Sequence, residues 1–224
     1  MAHTELIQRL YDTLREEFGH QNWWPADSPF EVMVGAILTQ NTNWQNVTKA
    51  IAQLKQANAL SADALVNLES EELQTLIRPA GYYRQKAARL KRLAGWLKEE
   101  CDGNLNLLAE WPTDALRDQL LALRGIGPET ACSILLYALD RPVFVVDTYT
   151  HRIVARHDLV WVNCSYEELQ ALFEDHLPRD TELYRDYHAQ LVEVGKRFCK
   201  KSNPRCKDCP VRTVLGEPSL EEEF

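Results

Sequence analysis

The sequence predicts an all-α protein, because helix signals recur along the chain while strand signals are scarce. The one β-branched run, Val143-Phe144-Val145-Val146, is too short and too isolated to build a sheet. The chain has 224 residues, of which 45% are hydrophobic, and this is ample for a buried core. We therefore expect a helical fold, either one two-lobed domain or two small domains.

The N-terminal segment, residues 1–19, mixes charged and apolar side chains at helical spacing. This pattern is typical of a helix in a cytosolic protein and differs from that of a signal peptide. No stretch of the chain approaches the roughly 20 apolar residues that a membrane span needs. We expect a cytoplasmic protein, of a bacterial or archaeal cytosol or nucleoid, with no membrane partner.

Capping residues mark three further helix starts. Ser28-Pro29-Phe30-Glu31 has the pattern of a capping box with proline at the first helical position, and an apolar run to Leu38 follows it. Thr113 is a good N-cap for a helix over 114–123. Ser165-Tyr166-Glu167-Glu168 is a second capping box. Helices are therefore predicted in both halves of the chain.

The charge is unevenly distributed. The net charge of −8 and the pI near 5.3 have the wrong sign for a protein that coats nucleic acid. However, residues 78–98 carry seven basic side chains and no acidic one, and residues 196–212 carry seven against Asp208 alone. The acidic residues gather at 69–72 and 217–223. Charge alone would fit two basic binding faces or two ordinary solvated helix faces.

The most specific local pattern is the segment Leu120–Ala131, in which an amphipathic helix runs into Gly125-Ile126-Gly127 and a second apolar helix follows. Two glycines let the turn bring backbone N–H groups close to an anion, and the second helix adds its positive end. Such a hairpin can hold a phosphate without a basic side chain. Taken alone, Gly-x-Gly would more often be an ordinary turn between helices.

Asp147 follows the apolar run 143–146 and precedes Thr148-Tyr149. An aspartate in this position can be partly buried and still ionised, because the N-terminus of the next helix favours the carboxylate. In isolation, the better interpretation would be a helix N-cap alone.

In these motifs the chain resembles the endonuclease III, or HhH-GPD, superfamily of DNA glycosylases, whose signature is a helix-hairpin-helix, a Gly/Pro-rich loop and a catalytic aspartate. The similar segments are Phe30 to Thr42, Gly81-Tyr82-Tyr83 with Lys86-Ala87, the hairpin, Val146-Asp147-Thr148 and the C-terminal cysteines. The resemblance implies an all-α, two-lobed fold with a C-terminal cysteine loop. It places a central helical domain at 22–133 and a second lobe at 1–21 and 134–224, with the flipped base in the cleft between them.

The resemblance also implies the activity. The chain would bind, as a monomer, double-stranded DNA that contains a damaged base, flip that base out and hydrolyse its N-glycosidic bond, with Asp147 as the catalytic carboxylate. Gln40 and Asn41 are the candidates for the wedge that fills the gap in the helix, although either could be a polar residue at a helix end. The expected DNA contacts are Gly125, Gly127, Thr130, Arg84 and Lys86.

Two departures from the family pattern bear on the substrate. Endonuclease III carries a nucleophilic lysine where this chain has Glu129, and a carboxylate cannot form a Schiff base. Adenine-mismatch enzymes carry a catalytic glutamate where this chain has Gly35. Both departures favour a monofunctional glycosylase that acts on a base which already leaves easily.

The aromatic residues Trp23, Trp24 and Trp44, with Pro25, resemble the base pocket of the 3-methyladenine DNA glycosylases of the endonuclease III type. Stacking on electron-rich rings holds a cationic alkylated purine. We therefore expect alkylated purines such as 3-methyladenine as substrates, with Glu129 near the pocket. The alternative is that the tryptophans are core residues.

Cys199, Cys206 and Cys209 resemble the iron–sulfur loop of the family, Cys-x6-Cys-x2-Cys-x5-Cys, but the fourth position is Leu215. The expected cofactor is a [4Fe–4S] cluster with an unusual fourth ligand, or else a loop that survives without its cluster. Structural zinc has the same shortage of ligands. Cys101, Cys132 and Cys164 are interpreted as plain thiols.

Two other functions compete with this interpretation. The first is a bifunctional glycosylase and lyase for oxidised pyrimidines, which Glu129 argues against. The second is a non-enzymatic helix-hairpin-helix module that recognises DNA shape, which Asp147 argues against.

Overall fold

The computed structural model describes residues 3–219, and in that range it contains helices and loops but no strand. The prediction of an all-α fold is confirmed. The α-helices are α1 (His3–Phe18), α2 (Pro29–Leu38), α3 (Trp44–Gln56), α4 (Ala62–Asn67), α5 (Ser70–Leu76), α6 (Tyr83–Cys101), α7 (Thr113–Ala122), α8 (Pro128–Ser133), α9 (Thr148–Arg156), α10 (Tyr166–Glu174), α11 (Thr181–Arg197) and α12 (Arg212–Leu215). Short 3₁₀ turns occupy Arg78–Ala80, Leu105–Glu110 and Cys206–Asp208, and a π-helical turn at Ile134–Ala138 continues α8. No helix between residues 3 and 219 is long and apolar enough to cross a membrane.

The chain divides into two compact units. The first comprises Met1–Trp23 and Pro142–Phe224, and the second comprises Trp24–Arg141. The domain boundaries expected from the sequence, before 22 and after 133, stay a prediction. The outermost residues of the expected second lobe, 1–2 and 220–224, lie outside the described residues, and so does the acidic stretch 221–223.

The second unit is built around α2. Residues 31–38 of this helix are all buried, because its neighbours cover every side. Those neighbours are α3, α6, α8 and the π-helical turn. An apolar helix covered on all sides is a core element, so the loop that follows α2 at Thr39 starts from a fixed point.

The first unit is built around α11, which packs against α1 and α9. Aromatic rings fill the space near its first turns: Phe144 stacks on Phe173 with ring centroids 4.3 Å apart, and both rings meet Tyr187 edge to face. The apolar run 143–146 is buried here without forming a strand. Side chains replace a strand partner, because Phe144 N donates to Glu174 Oε1 at 2.7 Å and Phe144 O accepts from Gln170 Nε2 at 2.5 Å.

The predicted helix caps have three different outcomes. The box at Ser165 is complete, with Ser165 and Glu168 each bonding the backbone N–H of the other. At Ser28 only half of the box forms: Ser28 Oγ accepts from Glu31 N, but the Glu31 carboxylate bonds Asp27 N, one residue earlier. The prediction of Thr113 as an N-cap is wrong, because α7 already includes Thr113 and its N-cap is Pro112, which has no side-chain bond to offer.

Candidate active site

Asp147 is the N-cap of α9. Its Oδ1 accepts hydrogen bonds from Thr150 N at 2.7 Å and from Thr150 Oγ1 at 2.9 Å. Its Oδ2 lies 3.8 Å from His188 Nε2 on α11, and 12% of the Asp147 side chain is exposed. One carboxylate oxygen is therefore held by the helix end, while the other faces an imidazole at the edge of solvent.

The pKa of Asp147 reflects opposing effects. Burial favours the neutral acid, but the His188 imidazole and the two hydrogen bonds from Thr150 favour the carboxylate, and the pKa is lowered below its ordinary value of 3.8. Asp147 is consequently an anion at neutral pH. A carboxylate with a low pKa is a weak base but a strong electrostatic partner for a developing positive charge.

Tyr149 anchors the first turn of α9 against α11. Gly195 on α11 makes room for the Tyr149 ring: a Cβ built at position 195 would lie 2.5 Å from Tyr149 Cγ and 2.6 Å from Tyr149 Cβ. Arg152 also contacts Tyr149, with its guanidinium 5.2 Å from the centre of the Tyr149 ring. The close approach of α9 and α11 sets the position of Asp147, two residues before Tyr149.

Replacing Gly195 by alanine is expected to destabilise the protein by about 1–3 kcal/mol, because the added methyl group overlaps Tyr149. The variant should also slow base release, since the start of α9 must shift. Gly95 on α6 is the matched control, because a Cβ there meets no atom within 4 Å and a mid-helix Gly→Ala change gains about 1 kcal/mol. Urea unfolding of both variants measures the difference; equal stability would show that α9 has room to move.

The turn of the helix-hairpin-helix lies between α7 and α8. Gly125 has φ +99°, a conformation that favours glycine, and a Cβ there would lie 2.5 Å from Arg89 Nε. Gly127 is the N-cap of α8, and a Cβ at this position meets nothing within 4 Å. Glycine is therefore required at 125 for both conformation and space, while Gly127 leaves the backbone open to an approaching group.

Gln40, which follows α2, is bonded to the hairpin. Its Nε2 donates to Gly125 O at 3.1 Å and to Thr130 Oγ1 at 2.9 Å, and its Oε1 accepts a hydrogen bond from Arg89 Nη1. Thr130 is buried. The next residue, Asn41, is exposed and has φ +53°. Of the two wedge candidates, Gln40 holds the hairpin in place and Asn41 stands at the tip of the loop.

Most of the basic side chains of α6 are used inside the second unit. Lys86 is completely buried, and its ammonium donates to Leu38 O at 2.9 Å and Ala80 O at 2.8 Å. Lys91 donates to Val66 O and Leu68 O, and Arg92 donates to Arg124 O. We expected Lys86 to contact DNA, but its amine is buried and cannot make that contact. Arg84, by contrast, is exposed.

Trp24, Trp44 and Tyr137 form an aromatic cluster in the second unit. The Trp24 ring meets Trp44 edge to face at 5.2 Å and Tyr137 at 5.3 Å between centroids. Trp24 also covers Gly35, where a Cβ would lie 3.3 Å from its indole ring. Even a Cβ at position 35 would make this indole shift by a few tenths of an ångström, so a glutamate there would crowd Trp24.

The other residues of the predicted base pocket are placed differently. Trp23 belongs to the first unit, where Lys196 Nζ lies 4.8 Å from its ring centre. Pro25 is exposed in the loop before α2. Glu129 is exposed in the first turn of α8, next to the buried Thr130. Adjacent tryptophans in the sequence therefore have different partners.

Cys199, Cys206 and Cys209 line one small cavity in the first unit, together with His157 and Arg156. Arg156 Nη1 donates to Cys199 Sγ at 3.2 Å. Burial raises the pKa of Cys206 and raises that of Cys209 to about 11, so these thiols are protonated at neutral pH unless a cation binds. Between residues 3 and 219, no group of three or more His, Cys, Asp or Glu side chains is arranged to hold a metal ion.

Sequence reasoning did not find four residues near these sites: His188, Tyr137, Arg89 and His157. Each lies far along the chain from the residue it accompanies. A histidine on the buried face of an amphipathic helix, as His188 is, gives a weak signal at most. The hydrogen-bonded loop of Gln40, Arg89 and Gly125 gives none, because it joins three separate segments.

The site combines a glycine hairpin with an ionised aspartate that caps the start of a helix. Comparison with known proteins identifies the class to which this helical fold belongs. Residues 34–179 match the HhH-GPD superfamily of base excision DNA repair proteins. A Methanocaldococcus jannaschii protein named as a DNA repair glycosylase is 46% identical over 210 residues, covering 93% of this chain and 94% of the relative.

Two solved structures are also similar. A 3-methyladenine DNA glycosylase of H. pylori, bound to 1,N6-ethenoadenine, has a TM-score of 0.72 and 28% identity, and the match covers 88% of this chain and 98% of the other. An endonuclease III trapped as a covalent intermediate with DNA has a TM-score of 0.80 and 25% identity, and covers 96% of each chain.

The chain belongs to the HhH-GPD superfamily of base excision DNA repair proteins. It is a DNA N-glycosylase of the endonuclease III type, and its partner is DNA.

Proposed function

We propose that this glycosylase is monofunctional and releases alkylated purines, such as 3-methyladenine, from double-stranded DNA, acting as a monomer. The main observation behind this proposal is the aromatic cluster of Trp24, Trp44 and Tyr137. Within this cluster, the Trp24 indole packs on Gly35. Electron-rich rings attract a cationic base, and a glutamate at position 35 would crowd the indole that packs there. The likeness to a 3-methyladenine glycosylase supports the same substrate class.

In this proposal, the chemistry centres on Asp147. As the glycosidic bond lengthens, its electrons leave with the base and positive charge grows on the sugar. The Asp147 carboxylate stabilises that charge, with Oδ2 as the oxygen that Thr150 leaves open. Water then bonds the anomeric carbon and loses a proton to solvent. Because the substrate base is already cationic, it departs as a neutral molecule without a strong acid.

The DNA contacts in this proposal come from the backbone more than from lysines. The N–H groups around Gly127 and the start of α8 suit a phosphate, because nothing lies within 4 Å of a Cβ there. Gln40 and Arg89 keep the turn rigid. Asn41 is the proposed wedge, since it is exposed at the tip of the loop while Gln40 is bonded to the hairpin. Arg84 is a candidate for a phosphate contact on the surface.

A second candidate function is that of a bifunctional glycosylase and lyase on oxidised pyrimidines. The higher TM-score to endonuclease III, 0.80 against 0.72, favours it. Against it stands Glu129, which offers no amine for the lyase step.

Replacing Trp24 or Trp44 by alanine is expected to reduce release of 3-methyladenine and 7-methylguanine by roughly 5- to 150-fold, because each stack contributes about 1–3 kcal/mol. Release of hypoxanthine, a neutral purine, should fall less, since it lacks the charge that the rings attract. The measurement is single-turnover base release from duplexes with each lesion.

Trp161→Ala is the matched control for this prediction, because Trp161 is 84% exposed and lies in the other unit. Melting temperatures of all three variants separate a loss of fold from a loss of binding. If Trp24→Ala and Trp44→Ala release cationic and neutral bases as the wild type does, the aromatic cluster is only part of the core.

We also propose that Cys199, Cys206 and Cys209 hold an iron–sulfur cluster. Soft thiolates are the ligands such clusters take, and the Arg156 N–H at Cys199 Sγ would stabilise a thiolate. When bound, the cluster would fix the loop from 199 to 209 to the end of α9.

A further inference from the structure

The two carboxylate oxygens of Asp147 have different neighbours. Thr150 donates to Oδ1 through its backbone N–H at 2.7 Å and through its hydroxyl at 2.9 Å. Oδ2, the oxygen that the proposed chemistry uses, lies 3.8 Å from His188 Nε2. Only 12% of the Asp147 side chain and 7% of the His188 side chain are exposed. Water therefore screens the interaction between these two groups less than it would at the surface.

The packing of α11 fixes the position of His188. The preceding residue, Tyr187, is completely buried, and its hydroxyl donates to a backbone carbonyl of α1 at 2.9 Å. Gly195 lies seven residues after His188, about two helical turns further along the same face, and this glycine contacts Tyr149 on α9. One face of α11 thus meets both Tyr149 and the N-cap Asp147, so the imidazole stays beside the carboxylate as long as α9 and α11 stay packed.

The imidazole offsets the cost of burying the carboxylate. Burial raises the pKa of Asp147, and the largest effect in the opposite direction comes from His188, ahead of the hydrogen bonds from Thr150. The separation of 3.8 Å is longer than a hydrogen bond. A proton on Nε2 would direct the positive end of the N–H toward Oδ2, which favours the anion without occupying the oxygen that the proposed reaction uses.

We infer that His188 is a positioning residue for base release: its Nε2–H stabilises the Asp147 anion and holds Oδ2 in place as positive charge develops on the sugar. This inference rests on the proposed function, in which Asp147 stabilises that charge. His188 touches no reacting atom in this scheme and acts through the carboxylate. A residue that only packed α11 against α9 would not need a nitrogen at this position.

Two amide variants test whether the nitrogen at Nε2 matters. In His188→Gln the amide nitrogen can occupy the place of Nε2, whereas the shorter side chain of His188→Asn reaches only the place of Nδ1. We expect His188→Asn to release bases about 10-fold more slowly than the wild type, within the range for coupled side chains, and His188→Gln to recover most of the rate. Single-turnover base release measures this. Affinity for a duplex with an abasic-site analogue should be the same in all three proteins, since the hairpin is untouched.

A double-mutant cycle shows whether His188 acts through Asp147. His188→Asn is combined with Asp147→Asn, and the four proteins are compared on the lesion that the wild type releases fastest among methylated purines, hypoxanthine and oxidised pyrimidines. In the Asp147→Asn background there is no anion to stabilise, so His188→Asn should slow release by less than about 2-fold. A purely structural role would instead give the same loss in both backgrounds.

His176→Asn is the matched control, because His176 is also a histidine of the first unit and its ring packs against His3, with centroids 5.5 Å apart. It should release bases at the wild-type rate. Melting temperatures show whether each variant folds. If His188→Asn does not fold, His188→Leu takes its place, since leucine fills the space of the ring without a nitrogen.

Three results would overturn the inference: a wild-type rate for His188→Asn, equal losses for His188→Asn and His188→Gln, or the same loss in both backgrounds of the cycle. A wild-type rate for Asp147→Asn would refute the catalytic role on which the inference rests. Failure of the wild type to release methylated purines would refute only the proposed substrate class, because the cycle uses whichever lesion is released fastest.

Discussion

Replacing Asp147 by asparagine is expected to slow base release by about 10²- to 10³-fold, the usual cost of removing a group that stabilises transition-state charge. Asparagine has the same shape and is an equally good N-cap, so α9 should still begin at Thr148. The loss would then be a loss of charge at Oδ2. Single-turnover release of a methylated base measures it.

The matched control is Asp180→Asn. Asp180 is also an aspartate N-cap in the first unit, where it accepts from Leu183 N at 2.8 Å at the start of α11. It should release bases at the wild-type rate. Affinity for a duplex with an abasic-site analogue should be unchanged in both variants, since the hairpin is untouched. A wild-type rate for Asp147→Asn would refute the catalytic assignment.

The lowered pKa of Asp147 gives a direction for the pH profile. The carboxylate stays ionised as the pH falls through the ordinary range near 3.8 and is protonated only below it. Its contribution to stability is complete above the unfolded pKa and is lost as the pH falls through the lower folded value. Loss of activity at mildly acidic pH must therefore come from another group.

The sequence could predict those parts of the site that are local in the chain. The hairpin glycines are an example: only two residues lie between the end of α7 and Gly125, whose φ is +99°, and the turn needs no distant partner to be recognised. Asp147 is another, because an N-cap is defined by the residues that follow it. These features are set by backbone geometry within a few residues.

Features that depend on distant segments could not be predicted. The basic residues of α6 predict a charged surface on this helix. In the structure, however, Lys86, Lys91 and Arg92 donate to backbone carbonyl groups that lie 6 to 48 residues away in the sequence. Nothing in the order of the residues shows which carbonyl groups lack partners. Likewise, the adjacent Trp23 and Trp24 were both predicted to line one base pocket. In the structure the Trp23 ring contacts Lys196, whereas the Trp24 ring contacts Trp44.

The enzyme is expected to leave abasic sites intact and to form no crosslink with DNA under borohydride. A lyase of this superfamily attacks the anomeric carbon with a lysine amine, displaces the base and opens the sugar to an imine, which borohydride reduces to a permanent amine bond. Glu129 removes the amine from that position.

Lys86 is the one rival nucleophile with a reason to be considered. Burial, with a smaller effect from Arg89, lowers its pKa to about 8, and lysines that form Schiff bases have lowered pKa values. Its side chain is completely buried, however, and both Leu38 O and Ala80 O hold its ammonium. The lowered pKa therefore reflects a structural role in joining α2 to α6, and Lys86 cannot reach a sugar.

The measurement is borohydride trapping on a duplex with a methylated purine, beside gels run with and without alkali. We expect less than about 1% of the trapping that a lysine nucleophile would give, and strand breaks only after alkali. Glu129→Lys is the converse test: position 129 is exposed in the first turn of α8, so a lysine there costs little stability and should restore a trapped band if it reaches the sugar. Glu129→Gln is its matched control, since it removes the carboxylate without adding an amine and should trap nothing. A wild-type band that forms as fast as the base is released would instead establish the bifunctional reaction and reopen oxidised pyrimidines as substrates.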